Sequence, residues 1–127
     1  MAIFNKSNNQ SISETTIISL GAKIEGKFNF SSMLHVDGDI NGLVHSDSIV
    51  VVGKNGIIKG ELKADKVIVN GIFEGELEAN SLEILSGGLV SGNIIIKEIS
   101  IENGGKFIGN SKIEEKKVEF IENNLKE

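Results

Sequence analysis

The chain has 127 residues, 39% of them apolar, with 18 acidic and 13 basic residues and a formal charge of −5. That length allows one domain with its own core, and the composition is that of a soluble globular chain. Every basic residue is Lys, and Cys, Pro, Trp and Tyr are absent. An acidic chain without Arg forks or large stacking rings is a poor match for nucleic acid, and one without thiols has neither a disulfide framework nor a cysteine–zinc site.

Residues 1–15 are mostly polar and read as a disordered tail. Ile3 and Phe4 are its exceptions. They are either two stray apolar residues or, with Lys6 and the terminal amine, a small contact for a membrane surface. Burying each is worth roughly 1.5–3 kcal/mol, too little to hold one molecule on a bilayer but enough for a polymer that presents many copies. Position 2 is Ala, which excludes N-myristoylation. No apolar run reaches the roughly 18 residues of a membrane span, and the first is too short for the core of a secretory signal.

Residues 16–111 carry a repeat. Aligned on Gly26, Gly42, Gly60, Gly75, Gly92 and Gly109, the copies are spaced 16, 18, 15, 17 and 17 residues apart, about 17 on average. Two residues before each glycine stands Ile24, Ile40, Ile58, Phe73, Val90 or Phe107, and two after it Phe28, Val44, Leu62, Leu77 or Ile94, with Ser111 in the last copy. Further on come the pairs Ile49/Val51, Val67/Val69, Leu82/Ile84 and Ile99/Ile101, with Leu34/Val36 shifted by one in the first copy. Apolar residues two apart with polar ones between mark strands buried on one face. Helical repeats need roughly 33–47 residues per unit and leucine-rich repeats roughly 20–29, so this period fits neither. It fits an all-β parallel β-helix of about six coils, three short strands per coil meeting at glycine corners. Ile18 and Leu20 join the inward set, Asn-Gly at 41–42, 55–56 and 70–71 supplies turns, and the absence of Pro suits strands whose N–H groups donate between coils.

Residues 112–127 change character: Ile113, Val118, Phe120, Ile121 and Leu125 approximate a helical stripe without glycine. The segment is either a short amphipathic helix capping the last coil or a tail.

Catalytic signatures are missing. The two histidines, His35 and His45, follow or separate inward residues and point outward beside Asp37, Asp39 and Asp47, which makes them surface histidines on different faces rather than a metal or acid–base site. The chain contains no P-loop, G-x-S-x-G elbow, dinucleotide fingerprint or G-G-x-G-x-D calcium repeat. No enzyme activity, metal or cofactor is expected. A short solenoid does have two ends, each exposing strand edges and an apolar layer that templates another chain unless polar caps intervene. Ile18, Leu20, Ile24 and Phe28 at one end, and Ile101, Phe107 and Ile108 at the other, mark the chain for end-to-end self-assembly.

The stretches Val36-Asp-Gly-Asp-Ile-Asn-Gly42 and Val67-Ile-Val-Asn-Gly-Ile-Phe-Glu-Gly75, in a solenoid of about 17-residue coils with short tails, resemble the bactofilins, and Met-Ala-Ile-Phe at the start resembles their apolar N-terminal membrane motif. The likeness covers residues 16–111 and is nearest to bactofilins that set the curvature of helical or curved cells. It implies a right-handed parallel β-helix and a bacterial cytoskeletal scaffold. Such a scaffold polymerises without nucleotide into nonpolar filaments and lies at the inner face of the cytoplasmic membrane. It organises cell-wall enzymes or membrane proteins and so influences cell shape. It also implies an apolar, often Phe, residue supporting polymerisation near the end of the core, which Phe107 matches, with Phe120 as a rival. Two other readings are a non-polymerising adaptor solenoid and an acyltransferase-like solenoid enzyme. The enzyme requires a strict hexapeptide period that spacings of 15 to 18 do not supply.

Overall fold

The computed structural model describes residues 14–114, which are strands and the corners between them. Ten strands follow in chain order: β1 (Thr15–Ile18), β2 (Lys23–Phe30), β3 (Met33–Val36), β4 (Asp39–Ser46), β5 (Ile49–Val52), β6 (Ile57–Val69), β7 (Ile72–Ile84), β8 (Leu89–Ile96), β9 (Glu98–Ile101) and β10 (Lys106–Ile113). All pair in parallel as one continuous sheet, wound into a solenoid of about six turns some 17 residues apart. Each turn has three runs. The first ends at an aligned glycine, the second leaves it, and the third follows a further corner; β6 and β7, 13 residues each, carry all three without a break.

The aligned glycines stack. Gly26 stands opposite Gly42, and the column continues through Gly60, Gly75, Gly92 and Gly109. Their φ angles lie between 128° and 142°, a region that side chains disfavour. Space imposes the same choice independently: a Cβ on Gly75 would lie 1.9 Å from the carbonyl oxygen of Gly60.

Side chains on either side of this column point inward by strand alternation. The runs Ile24–Phe107 (two before the glycine) and Phe28–Ile94 (two after it) stack in register, and the third run adds Leu34, Val50, Val67 and Leu82, with Val36, Val52, Val69 and Ile84 beside them. Turns two to five bury these completely or nearly so, with Phe73 the largest side chain at the centre. Five core residues lie outside the expected inward set: Val50, Val52, Ala64, Ala79 and Ile96. The last three belong to a column four residues after each glycine, together with Phe30 and the buried hydroxyl residue Ser46.

Two corner rules account for the uneven spacing. The shortest turn, Gly60 to Gly75, takes 15 residues. The first two turns hold one extra residue between the second and third runs, at 31–32 and 47–48. The corner that begins the next turn takes two residues at 37–38 and 70–71, but four at 53–56, 85–88 and 102–105. Spacings of 16, 18, 15, 17 and 17 follow. Along this corner a second ladder forms: the N–H of Asn70 donates to the carbonyl of Val52 at 2.7 Å, that of Leu85 to Val69 at 2.9 Å, and that of Glu102 to Ile84 at 2.9 Å.

The extra corner residue corrects one expectation. Ile49 and Val51 face outward and Val50 and Val52 face inward, because Val50 stacks on Val67. The Ser46 hydroxyl donates to the carbonyl of Ser32 at 3.1 Å and accepts from the N–H of Ser48 at 3.0 Å, which holds the longer corner and shifts the following strand by one residue. Leu20 is likewise not inward: it sits in the corner turn after β1 and is 71% exposed. Asn41-Gly42 is no loop but lies inside β4, at the bend. At the other end β10 runs on through Lys112 and Ile113, so those two residues continue the solenoid as strand; residues 115–127, with the rest of the expected helical stripe, lie outside the described residues.

Substituting the column should therefore cost more than substituting a corner. Gly75→Ala combines a disfavoured φ with an overpacked contact and should destabilise by roughly 3 kcal/mol or more. Gly87→Ala, at φ 91° with its nearest neighbour 3.9 Å from the added Cβ, should cost about 1–2 kcal/mol. Urea denaturation followed by circular dichroism checks the difference; equal losses would mean that the carbonyl contact does not constrain the column.

Candidate self-association surfaces

The sides of the solenoid carry mixed, solvated chemistry. His35 Nε2 lies 3.0 Å from Asp37 Oδ2, and His45 Nε2 lies 3.6 Å from Asp47 Oδ1, each pair two residues apart on its own turn. Both histidines point outward, as the alternation predicts. Lys66 and Glu83 approach to 3.9 Å across neighbouring turns, a surface pair worth little in water. An open groove of about 580 Å³ runs along the second face, bordered by Leu43, His45, Glu61, Lys63, Glu76 and Glu78. Among the described residues no group of three or more His, Asp or Glu side chains is placed to hold a metal.

The ends are different. Of the six large apolar side chains exposed among the described residues, Ile17 and Leu20 lie at the N-terminal end of the stack and Ile101, Ile108 and Ile113 at the C-terminal end; Leu43 lies on a middle turn. Ile17 and Ile108 are outward positions, in register with His35 and Ser91, and Leu20 sits in a corner, whereas Ile101 and Ile113 are inward positions with no further turn over them among the described residues. Inside the stack every inward residue is covered by the turns above and below, whereas an end residue is covered from one direction. Ile18, Ile24, Phe28, Phe30, Ile99 and Phe107 accordingly pack on the core yet stay half-buried. Backbone groups follow suit: among the described residues β1 pairs with β3 alone and β2 with β4 alone, while β9 pairs with β7 alone and β10 with β8 alone. Each end thus presents two strand edges able to accept a further strand.

All seven residues expected at the ends fall on the first or last turn. Ile18, Ile24, Phe28 and Phe107 are half-buried in the end layers, Ile101 and Ile108 are exposed in the last turn, and Leu20 projects from the first corner. Ile101 was expected inward; it continues the column of Ile84 but has nothing beyond it among the described residues and is 46% exposed. Two further end residues escaped the sequence reading. Phe30 stacks on Phe28 with ring centroids 6.3 Å apart and planes within 8°, and Ile113 extends β10. Both stand four residues after an aligned glycine, a column whose middle members are Ser46, Ala64, Ala79 and Ile96, so that only the last of them is a large apolar residue. Ile3, Phe4 and Lys6 lie outside the described residues, as does Phe120.

A rod with a filled interior, solvated sides and, among the described residues, apolar layers open at both ends is the form of a structural module with no catalytic cleft. A protein-family model described as Bactofilin, polymer-forming cytoskeletal, matches residues 16–112. The chain belongs to the bactofilins, a structural family of polymer-forming cytoskeletal proteins. No curated protein and no solved structure matches it.

Ile108 and Leu43 separate end from side. Both are exposed, so changing either to Ser should shift unfolding by no more than about 0.5 kcal/mol. Ile108→Ser should lower self-association in sedimentation experiments while Leu43→Ser leaves it unchanged. The reverse result would move the contact surface to the side of the rod.

Proposed function

We propose that this bactofilin is a bacterial cytoskeletal scaffold whose end-to-end, nucleotide-independent filaments lie at the inner face of the cytoplasmic membrane. There they organise cell-wall synthesis or remodelling enzymes and influence cell shape. The observation that carries the polymer is the concentration of exposed apolar side chains and unpaired strand edges at the two ends. The filament is nonpolar in this reading, joined head to head and tail to tail, with Phe107 in the C-terminal junction. Membrane contact rests on the sequence pattern Ile3, Phe4 and Lys6, repeated once per subunit along a filament. Because a filament carries many copies, the weak anchoring of each chain adds up.

Negative-stain electron microscopy of the pure protein, without nucleotide or metal, should show thin unbranched filaments. Phe107→Arg places a charge in an end layer that is half-buried before any junction forms, and should abolish filaments while leaving a soluble, folded chain. Filaments unchanged by Phe107→Arg would remove that residue from the junction; a wild-type monomer at high concentration would overturn the polymer.

Anionic liposomes test the membrane half separately. Polymer should float with them, and deletion of residues 2–6 should leave it in the pellet fraction. Flotation that survives the deletion would place the lipid contact elsewhere.

A further inference from the structure

The two ends of the rod are not equivalent in how they match a second copy. Among the described residues the N-terminal end is formed by β1 and by β2, the latter with the sequence Lys23-Ile-Glu-Gly-Lys-Phe-Asn-Phe30. A second copy turned end over end about a twofold axis through the Gly26 corner would lay its β2 antiparallel on this one. Residues whose numbers are equally far from 26 then face each other. Outward, Glu25 meets Lys27 of the second copy and Lys27 meets its Glu25; inward, Ile24 meets Phe28 and Phe28 meets Ile24. The rotation exchanges the first and second faces of the turn and returns the third to itself, so β1 also meets β1 antiparallel. Both layers therefore match at once, opposite charge against opposite charge and apolar against apolar.

At the C-terminal end rotation about the corresponding glycine gives no such match, so a tail-to-tail junction through Phe107 needs another register. About Gly109, strand β10 (Lys106-Phe-Ile-Gly-Asn-Ser-Lys-Ile113) would set Lys106 against Lys112, and Phe107 against Ser111. Head-to-tail stacking in the register of the internal turns would set Lys23 against Lys106 and Glu25 against Ile108.

We infer that the N-terminal end is a self-complementary junction for a second copy of this chain, its antiparallel register set by reciprocal Glu25–Lys27 pairs across Gly26. This rests on the polymer reading above and adds the register and the residues that select it. Exposed pairs of this kind contribute little affinity; their effect is to favour one register over another, since reversing one sign creates two like-charge contacts per junction.

The test starts from the full chain carrying Phe107→Arg, which should stop at a dimer in analytical ultracentrifugation. Adding Glu25→Lys should weaken that dimer by about tenfold, and the exchange Glu25→Lys with Lys27→Glu should restore it. Lys106→Glu should leave it unchanged. A dimer indifferent to Glu25→Lys, or one that the exchange fails to rescue, overturns the inference. A second measurement does not depend on the arginine variant folding. Because the chain has no cysteine, Glu25→Cys and Lys27→Cys proteins can be mixed and oxidised. Facing Cα atoms in an antiparallel pair lie ~4.5–5.5 Å apart, within disulfide reach, so the mixture should form crosslinked dimers that neither variant forms alone. Filaments without that crosslink would leave the polymer reading standing and this register refuted; a wild-type chain that never assembles would refute both.

Discussion

The contact on which the structure depends is the approach of one glycine backbone to the next. At each turn the chain passes so close to the turn before it that a single added carbon on Gly42, Gly60, Gly75, Gly92 or Gly109 would lie within about 2 Å of a carbonyl oxygen. This leaves no freedom of register at that corner. Once glycine faces glycine, strand alternation decides which neighbours point inward, and the apolar columns on both sides follow. Variation in length is pushed to the other two corners, where one residue or two are added without disturbing the stack. That division explains how turns of 15 and 18 residues coexist in one rod.

The same division decides how much was legible in the sequence. The columns two residues either side of the glycine were readable because they lie close to a fixed point, and the structure keeps every one of them in register. Farther along the turn the inserted corner residue intervenes. At Ile49-Val-Val-Val52 four consecutive β-branched residues make both registers look equally apolar, so periodicity is silent there. What chooses Val50 and Val52 is the Ser46 hydroxyl bridging Ser32 and Ser48, a polar interaction inside the core that hydropathy cannot signal. Ala64 and Ala79 were missed for a related reason: the column they occupy shares its turns with large residues such as Phe73, and small side chains suit it. Leu20 misled in the opposite sense, an apolar residue placed in a corner where no inward position exists. Which turns form the ends was legible, because an end is a topological consequence of stacking; which side chains fill them was legible only in part, as Phe30 and Ile113 show.

A solenoid satisfies its backbone only through its neighbours. Each interior turn exchanges backbone hydrogen bonds with the turn before it and the turn after it, and each inward side chain is covered from both directions, so stability resides in the interfaces between turns more than in any turn alone. The first and last turns have half of those interfaces. A second copy added at either end would extend the columns already present: Ile24, Phe28 and Phe30 at one end, Ile99, Phe107 and Ile113 at the other. In the end-to-end arrangement proposed above, self-association is continuous with folding, since both bury the next layer of the same core.

Why growth would run along the axis and not sideways can be argued from the surface. Outward positions on successive turns stack ~4.8 Å apart and form rows of mixed charge along the rod: Glu61 stands opposite Glu76 in one, and Lys63 faces Glu78 in the next. A formal charge of −5 per copy accumulates along a filament, and two parallel filaments would repel through that net charge at a cost that grows with every subunit added. The ends pay no such cumulative cost, because each junction is met once and brings apolar layers together. Geometry offers two places to bind another copy, and charge leaves the axial one favoured.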